Sequence, residues 1–186
     1  KLMDVVKEDL ENNPEDAKHL MSIVTALLYK RFKANGKDLT LLSLDNCSKN
    51  GDKIKDSVKF IAEKWNKDGK VEDEFIDYLK EKVSFTWTMI DKITPRHAKE
   101  VQDYVEDLGF EDMDTVITDK NTYIAPFVNS EEAEYLVMED DFKNGRPDFT
   151  KAGVYLTDRQ TVNKVETMKV TTCLNPLHTV LATLGC

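Results

Sequence analysis

The sequence predicts an α/β fold in the N-terminal part of the chain and a mainly α-helical fold in the C-terminal part. A short apolar run, LTLLSL at residues 39–44, lies between two segments with helical periodicity, as a buried parallel strand does. Beyond about residue 70, helical patterns alternate only with short strand-like runs. We therefore expect two domains, residues 1–70 and residues 71–186.

The first predicted helix has well-defined ends. Asn13 is a favoured N-cap residue, Pro14 suits the first helical position, and the Asn35-Gly36 pair is a stop signal. Apolar residues recur between them at helical spacing: Leu20, Ile23, Val24, Leu27 and Phe32. These signals predict one amphipathic helix over residues 14–34.

A second amphipathic helix is predicted after Gly51, and a turn after it. Its apolar face carries Ile54, Val58, Ile61, Ala62 and Trp65. The segment NKDGKVEDE, residues 66–74, lacks the acidic residues at alternate positions before its glycine that a calcium loop needs. We expect a plain turn there, leading into a short helix over residues 71–80.

The C-terminal part begins with a strand-like run, VSFTWTMID, at residues 83–91. Thr94-Pro95 is expected to start a helix with an apolar stripe formed by Ala98, Val101, Tyr104, Val105 and Leu108. Residues 112–158 are mixed, with turn residues at NGRP, and helix is expected to resume at Asn163.

Composition and charge exclude several classes of partner. The 35 acidic residues outnumber the 26 basic ones, the formal net charge is −9, and the basic residues form no stripe. We therefore expect neither nucleic acid nor a membrane as a partner. The three cysteines show no disulfide framework and no metal-ligand spacing, which favours a reducing compartment, by default the cytoplasm.

Both ends of the sequence predict a fragment. The first residue is Lys1 rather than Met, and the last helix stops while it is still apolar. We expect a longer protein that is truncated here at both ends.

Four polar residues interrupt the apolar closing helix: Glu166, Lys169, Asn175 and His178. On an ideal helix, at about 100° per residue, Lys169 and His178 point about 180° apart. One extra residue absorbed in a π-bulge would turn the later positions back by about 100° and bring all four to one face. Pro176, which has no N–H, is a local reason for such a bulge.

Three of these residues also have a plain structural interpretation. Glu166 follows Asn163 by three positions and could complete a capping box. A helical lysine is usually solvated, and a lone histidine is usually a satisfied core residue.

Four segments together resemble a known family. LTLLSLDNCSKNG (39–51), VSFTWTMIDKITP (83–95), VMEDDFKNGRPDFTKAGV (137–154) and ETMKVTTCLNPLHTVLATLG (166–185) are similar, in this order, to motifs of the polyol-specific long-chain dehydrogenases. That family includes mannitol 2-dehydrogenases and the fructuronate and tagaturonate reductases. The resemblance implies that residues 1–70 are the C-terminal part of a Rossmann domain. Residues 71–186 then begin a mainly helical substrate domain.

The resemblance also implies roles for the polar residues. Lys169 matches the general base, and Asn46 and Asn175 match the two asparagines that donate hydrogen bonds to the reacting oxygen. Such amide donors form an oxyanion hole for the developing alkoxide. Asn46 additionally follows the predicted strand at its carboxyl end, where α/β sheets place ligands, so we also expect it to contact the coenzyme.

Three further roles follow from the same resemblance. His178 matches a substrate-binding histidine, Asp91 an acidic residue near the substrate, and Glu166 a residue that borders a proton path. For Asp91 a loop or helix-start carboxylate is an equal alternative. The coenzyme implied is NAD or NADP, and no metal is expected.

The family places both the asparagine and the histidine one residue nearer to the lysine. The extra residue here is the one that the π-bulge requires.

The function predicted is NAD(P)-dependent interconversion of a secondary alcohol and a ketone on an open-chain polyol or sugar acid. A non-catalytic helical interaction module is the main alternative, and a coenzyme-independent sugar-acid epimerase or lyase is another. The fragment is expected to be inactive alone. The particular substrate, the choice between NAD and NADP, and the oligomeric state stay open.

Overall fold

A computed structural model describes residues 3–91, 94–132 and 135–185, which form two compact units. Within the described residues, the larger unit comprises 3–90 and 135–185, and the smaller comprises 91 and 94–132. Neither unit ends at residue 70, because a strand that follows this position pairs with one that precedes it. The two compact units are not the two predicted domains, so the domain boundary expected at residue 70 stays a prediction.

Helices make up most of the larger unit. Its α-helices are α1 (Asp4–Glu11), α2 (Leu20–Ala34), α3 (Asn50–Lys67), α4 (Asp73–Glu81), α6 (Arg159–Glu166) and α7 (Asn175–Leu184), while α5 (Lys99–Asp107) belongs to the smaller unit. A π-helix, Thr167–Leu174, joins α6 to α7 without a break. Two short 3₁₀ turns occupy Pro14–Asp16 and Phe149–Ala152. Within the described ranges, no helix is long and apolar enough to cross a bilayer.

The strands of the larger unit form two small sheets. They are β1 (Leu39–Leu42), β2 (Val83–Thr86), β3 (Thr88–Met89), β6 (Val137–Glu139) and β7 (Tyr155–Thr157). β1 pairs with β2 in parallel, which confirms the parallel strand predicted from LTLLSL, although β1 is only half-buried. β6 pairs antiparallel with β3 and parallel with β7.

Two apolar clusters hold this unit together. The main cluster packs α3 and α4 against β1 and β2, with Trp65 and Phe75 fully buried at its centre. Burial of each such side chain contributes about 2–3 kcal/mol. A smaller cluster joins β3, β6 and α6 through Met89, Val137 and Val162, together with Trp87. The apolar face predicted for α3 is confirmed. The first turn of α3 packs closely on β2, because a Cβ atom on Gly51 would lie 2.6 Å from the Phe85 carbonyl oxygen.

The single helix expected over residues 14–34 is wrong. Pro14 opens only a 3₁₀ turn, and α2 begins at Leu20. The interruption has a cause outside the segment: the Asp9 carboxylate accepts hydrogen bonds from the backbone N–H groups of Lys18 (2.9 Å) and His19 (2.8 Å). His19 then caps α2 by accepting from the Met21 N–H at 3.3 Å.

The buried face of α2 also differs from the predicted one. Ser22, Thr25 and Leu28 are its buried residues, whereas Leu20 and Leu27 are at least 60% exposed. Small polar side chains are buried there because α2 packs against α3.

The smaller unit contains α5 (Lys99–Asp107), β4 (Val116–Ile117) and β5 (Tyr123–Ile124), and the two strands pair antiparallel. The helix start expected at Thr94-Pro95 is wrong, because α5 begins only after Ala98. Ala98 has an extended backbone, and two hydrogen bonds hold the residues before the helix: the Ala98 N–H donates to Asn129 Oδ1 (3.2 Å), and Asn129 Nδ2 donates to the Arg96 carbonyl (3.1 Å). Tyr104 and Leu108 of the predicted stripe are exposed.

The helix expected from Asn163 begins earlier, at Arg159. Asp158 is its N-cap, and its Oδ1 accepts from the Thr161 N–H at 3.0 Å. Hydrogen bonds from the backbone and side chain of Thr161 lower the pKa of Asp158. Since Asn163 lies inside α6, the capping-box interpretation of Glu166 is wrong.

Candidate active site

The loop between β1 and α3 carries Asn46 at the carboxyl end of a parallel strand. The loop spans residues 43–49, and the Asn46 residue is exposed. Ligands of α/β proteins bind outside the carboxyl ends of parallel strands, so the position suits a binding role. Cys47, the next residue, is half-buried and has a free thiol.

The π-helix confirms the helical irregularity that the sequence predicted between Lys169 and Asn175. It is longer than a single bulge and spans the eight residues Thr167–Leu174. The backbone N–H of Asn175 donates to the carbonyl of Val170, five residues earlier, and the Thr172 hydroxyl donates to the Thr167 carbonyl at 2.9 Å. Pro176 lies directly after this segment, where its missing N–H disturbs the ordinary α-helical pattern.

A cavity of about 250 Å³ lies between the loop and the π-helix. Its lining brings together Asn46, Glu166 and Asn175, three of the predicted site residues, from positions more than 100 residues apart. The other lining residues are Asp45, Cys47, Ser48, Thr88, Met89, Ile90 and Val170. Two amide side chains and a carboxylate in one cavity can donate hydrogen bonds to an oxygen and pass a proton.

A direct hydrogen bond joins the two walls of this cavity. The Ser48 hydroxyl donates to Glu166 Oε2 at 3.2 Å, so the loop after β1 contacts the last residue of α6. This contact fixes the Glu166 carboxylate on the side of the cavity that carries Asn46.

Lys169 and His178 are not in the lining of this cavity. The half-buried Lys169 places its Nζ 4.0 Å from the centre of the Tyr135 ring, a cation–π contact. His178 is exposed on α7, three residues after Asn175. The structure therefore brings part of the predicted constellation into one cavity, and the roles of all five residues stay predictions.

Asp91 belongs to the smaller unit, where it is buried. Its helix-start alternative is wrong, because α5 begins eight residues later at Lys99. Its predicted role near the substrate stays a prediction.

An arginine anchors the start of α6, the helix that leads into the site. Arg159 donates to Glu139 through Nε (2.8 Å) and Nη2 (3.0 Å) and to Asp52 through Nη1 (3.2 Å). The guanidinium also lies 4.9 Å from the Trp87 ring centre. The hydrogen bond to the Glu139 carboxylate raises the pKa of Arg159, as is typical of a charge-assisted guanidinium–carboxylate pair.

The sequence analysis missed the buried polar contacts behind the loop. Asn50 and Thr88 bond to each other and to the carbonyls of the loop. Their only sequence signals were the Asn50-Gly51 pair before a helix and a threonine in an apolar strand.

A larger cavity of about 710 Å³ lies along α2, away from these residues. Its lining is mostly apolar, including Pro14, Ile23 and Leu27, with lysines at its rim. Its lining contains one carboxylate, Glu15, and no amide side chain, so the smaller cavity with its two asparagines is the candidate active site. Among the described residues, no group of three His, Cys, Asp or Glu side chains is placed to hold a metal ion.

Comparison with known proteins shows the family to which this chain is similar. A family profile described as the mannitol dehydrogenase Rossmann domain matches residues 10–151. The D-mannonate oxidoreductase of Thermotoga maritima is 55% identical over 97% of this chain and 34% of its own length. The D-mannonate oxidoreductase of Escherichia coli is 32% identical over 97% of this chain and 33% of its own length.

Solved structures give the same result. Pseudomonas fluorescens mannitol 2-dehydrogenase, in a ternary complex with NAD and D-mannitol, matches with a TM-score of 0.64 and 29% identity, over 90% of this chain and 30% of that one. A substrate-free D-sorbitol dehydrogenase matches with a TM-score of 0.65 and 27% identity, over 86% and 29%. The chain spans about a third of the length of the curated relatives that it matches.

Proposed function

Because this chain belongs to the mannitol dehydrogenase family, we propose that the protein is an NAD(P)-dependent oxidoreductase that interconverts a secondary alcohol and a ketone on an open-chain polyol or sugar acid. The observation that carries the proposal is the cavity in which Asn46, Glu166 and Asn175 meet. The relative with 55% identity is named for mannonate, so a sugar acid is the first substrate to test and mannitol the second.

The residues present fit a nicotinamide coenzyme at one wall of the cavity. The loop after β1 provides Asn46 at the carboxyl end of a parallel strand, the usual position of a dinucleotide in such sheets. The coenzyme, when bound, accepts a hydride from the alcohol carbon. The choice between NAD and NADP is left to the assay.

The side chains of this chain supply hydrogen bonds and proton transfer. Asn46 and Asn175 donate amide hydrogens to the reacting oxygen, where alkoxide charge develops. In this proposal Lys169 acts as the general base that takes the hydroxyl proton, and Glu166 passes it towards solvent. For each alcohol oxidised, one proton leaves the oxygen as the hydride leaves the carbon. The roles of Lys169, His178 and Asp91 rest on the family resemblance.

Family membership favours this proposal over a helical interaction module, since the relatives are named as oxidoreductases. It also favours the oxidoreductase over a coenzyme-independent epimerase or lyase. The cysteine content and the acidic net charge support a cytoplasmic protein that does not bind nucleic acid.

The test is reduction of NAD and NADP by the full-length protein with mannonate, altronate and mannitol. Lys169→Ala is compared with Lys164→Ala, an exposed lysine of α6. We expect one substrate to be oxidised and kcat to fall by about 10²–10⁴-fold in Lys169→Ala only. Absence of turnover with every substrate and both coenzymes would refute the proposal.

A further inference from the structure

The loop that carries Asn46 is held by two buried residues, Asn50 and Thr88, of which Thr88 also contributes to the cavity lining. Asn50 Nδ2 donates to the carbonyls of Ser43 (3.3 Å) and Asp45 (3.0 Å), on the strand side of Asn46. The Thr88 hydroxyl donates to the same Ser43 carbonyl at 2.5 Å. Asn50 is 1% exposed and Thr88 is 6% exposed, so these bonds are shielded from water.

Asn50 and Thr88 also form hydrogen bonds with each other. Asn50 Nδ2 donates to Thr88 Oγ1 (2.9 Å), while the Thr88 backbone N–H donates to Asn50 Oδ1 (3.1 Å). Asn50 Oδ1 accepts a second bond from the Gly51 N–H at 2.8 Å. The pair thus ties the loop to β3 on one side and to the first turn of α3 on the other.

We propose that Thr88, together with Asn50, is a positioning residue that sets the location of Asn46 for the alcohol-oxidation step. This inference rests on the proposed function. Asp45 immediately precedes Asn46, so fixing its carbonyl fixes the backbone from which the Asn46 amide extends. Neither Thr88 nor Asn50 needs to contact the reacting atoms for this role.

The chemistry requires such support. A donor that stabilises developing charge must be held in place before the reaction, and a misplacement of about 1 Å can lower the rate by about 10²-fold. Loops alone rarely provide this accuracy, whereas buried hydrogen bonds from a strand and a helix do.

The substitution Thr88→Val removes the hydroxyl and keeps the β-branched shape, and Thr88→Ser keeps the hydroxyl. Thr86→Val is the matched control: Thr86 is a buried threonine of the neighbouring strand whose hydroxyl donates to a different carbonyl, that of Asp141, at 2.9 Å. Any general loss of stability should be shared by Thr88→Val and Thr86→Val.

The decisive measurement is a double-mutant cycle between Thr88→Val and Asn46→Ala in the full-length protein. We expect Thr88→Val to lower kcat by about 10–100-fold with little change in coenzyme KM, but by less than about twofold when Asn46 is already alanine. Thr88→Ser should restore most of kcat, and Thr86→Val should leave kcat within about twofold of the wild type. Equal effects of Thr88→Val in both backgrounds would overturn the proposal.

A second measurement does not depend on turnover. Amide hydrogen exchange in residues 43–49 should be faster in Thr88→Val than in Thr88→Ser, with α3 unchanged. Unchanged exchange in this loop overturns the positioning role whether or not the enzyme is active. If the wild type oxidises no substrate, the proposed function fails by itself, and the exchange data alone decide whether Thr88 holds the loop.

Discussion

Glu72, just before α4, accepts hydrogen bonds from two residues of α2. Tyr29 donates its hydroxyl to Glu72 Oε2 at 2.7 Å, and the Lys33 ammonium donates to Oε1. The bond from Lys33, followed by that from Tyr29, lowers the pKa of Glu72 from 4.5 to about 2. A carboxyl whose pKa is lowered by folding stabilises the fold above its unfolded pKa, and this contribution is lost as the pH falls from about 4.5 to about 2.

We therefore expect Glu72→Gln to make the unfolding free energy less dependent on pH between about 4.5 and 2. Urea unfolding of the purified chain at several pH values measures this slope. Glu63→Gln, at an exposed position of α3, is the control and should keep the wild-type slope. Identical slopes for Glu72→Gln and the wild type would show that the ion pair does not form.

For individual residues, the sequence indicated which side chains are important but not which residues they contact. Asn46, Glu166 and Asn175 could be predicted because their motifs resemble a family. Asn50 and Thr88 could not, because their bond joins positions 38 residues apart and depends on how α3 and β3 pack. The Asp9 contacts that interrupt the first predicted helix were hidden for the same reason.

Among the elements, α6 depends on Arg159 for its attachment to β6 and α3. The Arg159 side chain is 36% exposed and that of Glu139 is 11% exposed, so loss of the arginine would leave a nearly buried carboxylate without its main donor. Arg159→Met should lower the unfolding free energy by about 1–3 kcal/mol.

Arg146→Met is the matched control, since Arg146 also binds a carboxylate, Asp140, through two nitrogens. Asp140 is much more exposed, at 43%, so this substitution should cost less than about 1 kcal/mol. The double variant Arg159→Met, Glu139→Gln should unfold with a higher free energy than Arg159→Met alone, because the unpaired carboxylate charge is removed. Equal effects of Arg159→Met and Arg146→Met in urea unfolding would contradict this account.

Elements with strong local signals were predicted well. β1 follows from a continuous apolar run, and α3 from a regular apolar face. The start predicted for α5 was wrong because Pro95 is a favourable first helical residue, whereas hydrogen bonds to Asn129 hold Arg96 and Ala98 outside the helix. The π-helix was predictable because Pro176 and the extra residue both lie in the same segment.

For the molecule as a whole, burial differs strongly between the two units. Among the described residues of the smaller unit, Asp91 and Gln102 are the only buried ones, and both are polar. The larger unit contains two apolar clusters. Segments with few buried apolar contacts open at a lower free energy than the core does.

Hydrogen–deuterium exchange with mass spectrometry should therefore show faster exchange of backbone amides in residues 94–132 than in α3 and β2. Peptides from α4 provide an internal reference for a helix of the same length as α5. Equal protection of the backbone amides in the two units would mean that interactions other than the burial of its own side chains stabilise the smaller unit.

The π-helix has a consequence for how this chain is compared with others. One extra residue in an ordinary α-helix between Lys169 and Asn175 would turn every later position by about 100° about the helix axis, and the π-helix turns those positions back by about the same angle. Asn175 therefore reaches the cavity that it shares with Glu166 at a spacing that a regular α-helix would provide with one residue fewer. A sequence alignment that places the one-residue gap after this segment would pair side chains with the neighbours of their true counterparts. The number of residues between Lys169 and Asn175 therefore indicates the shape of the helix, which the identities of these residues alone do not.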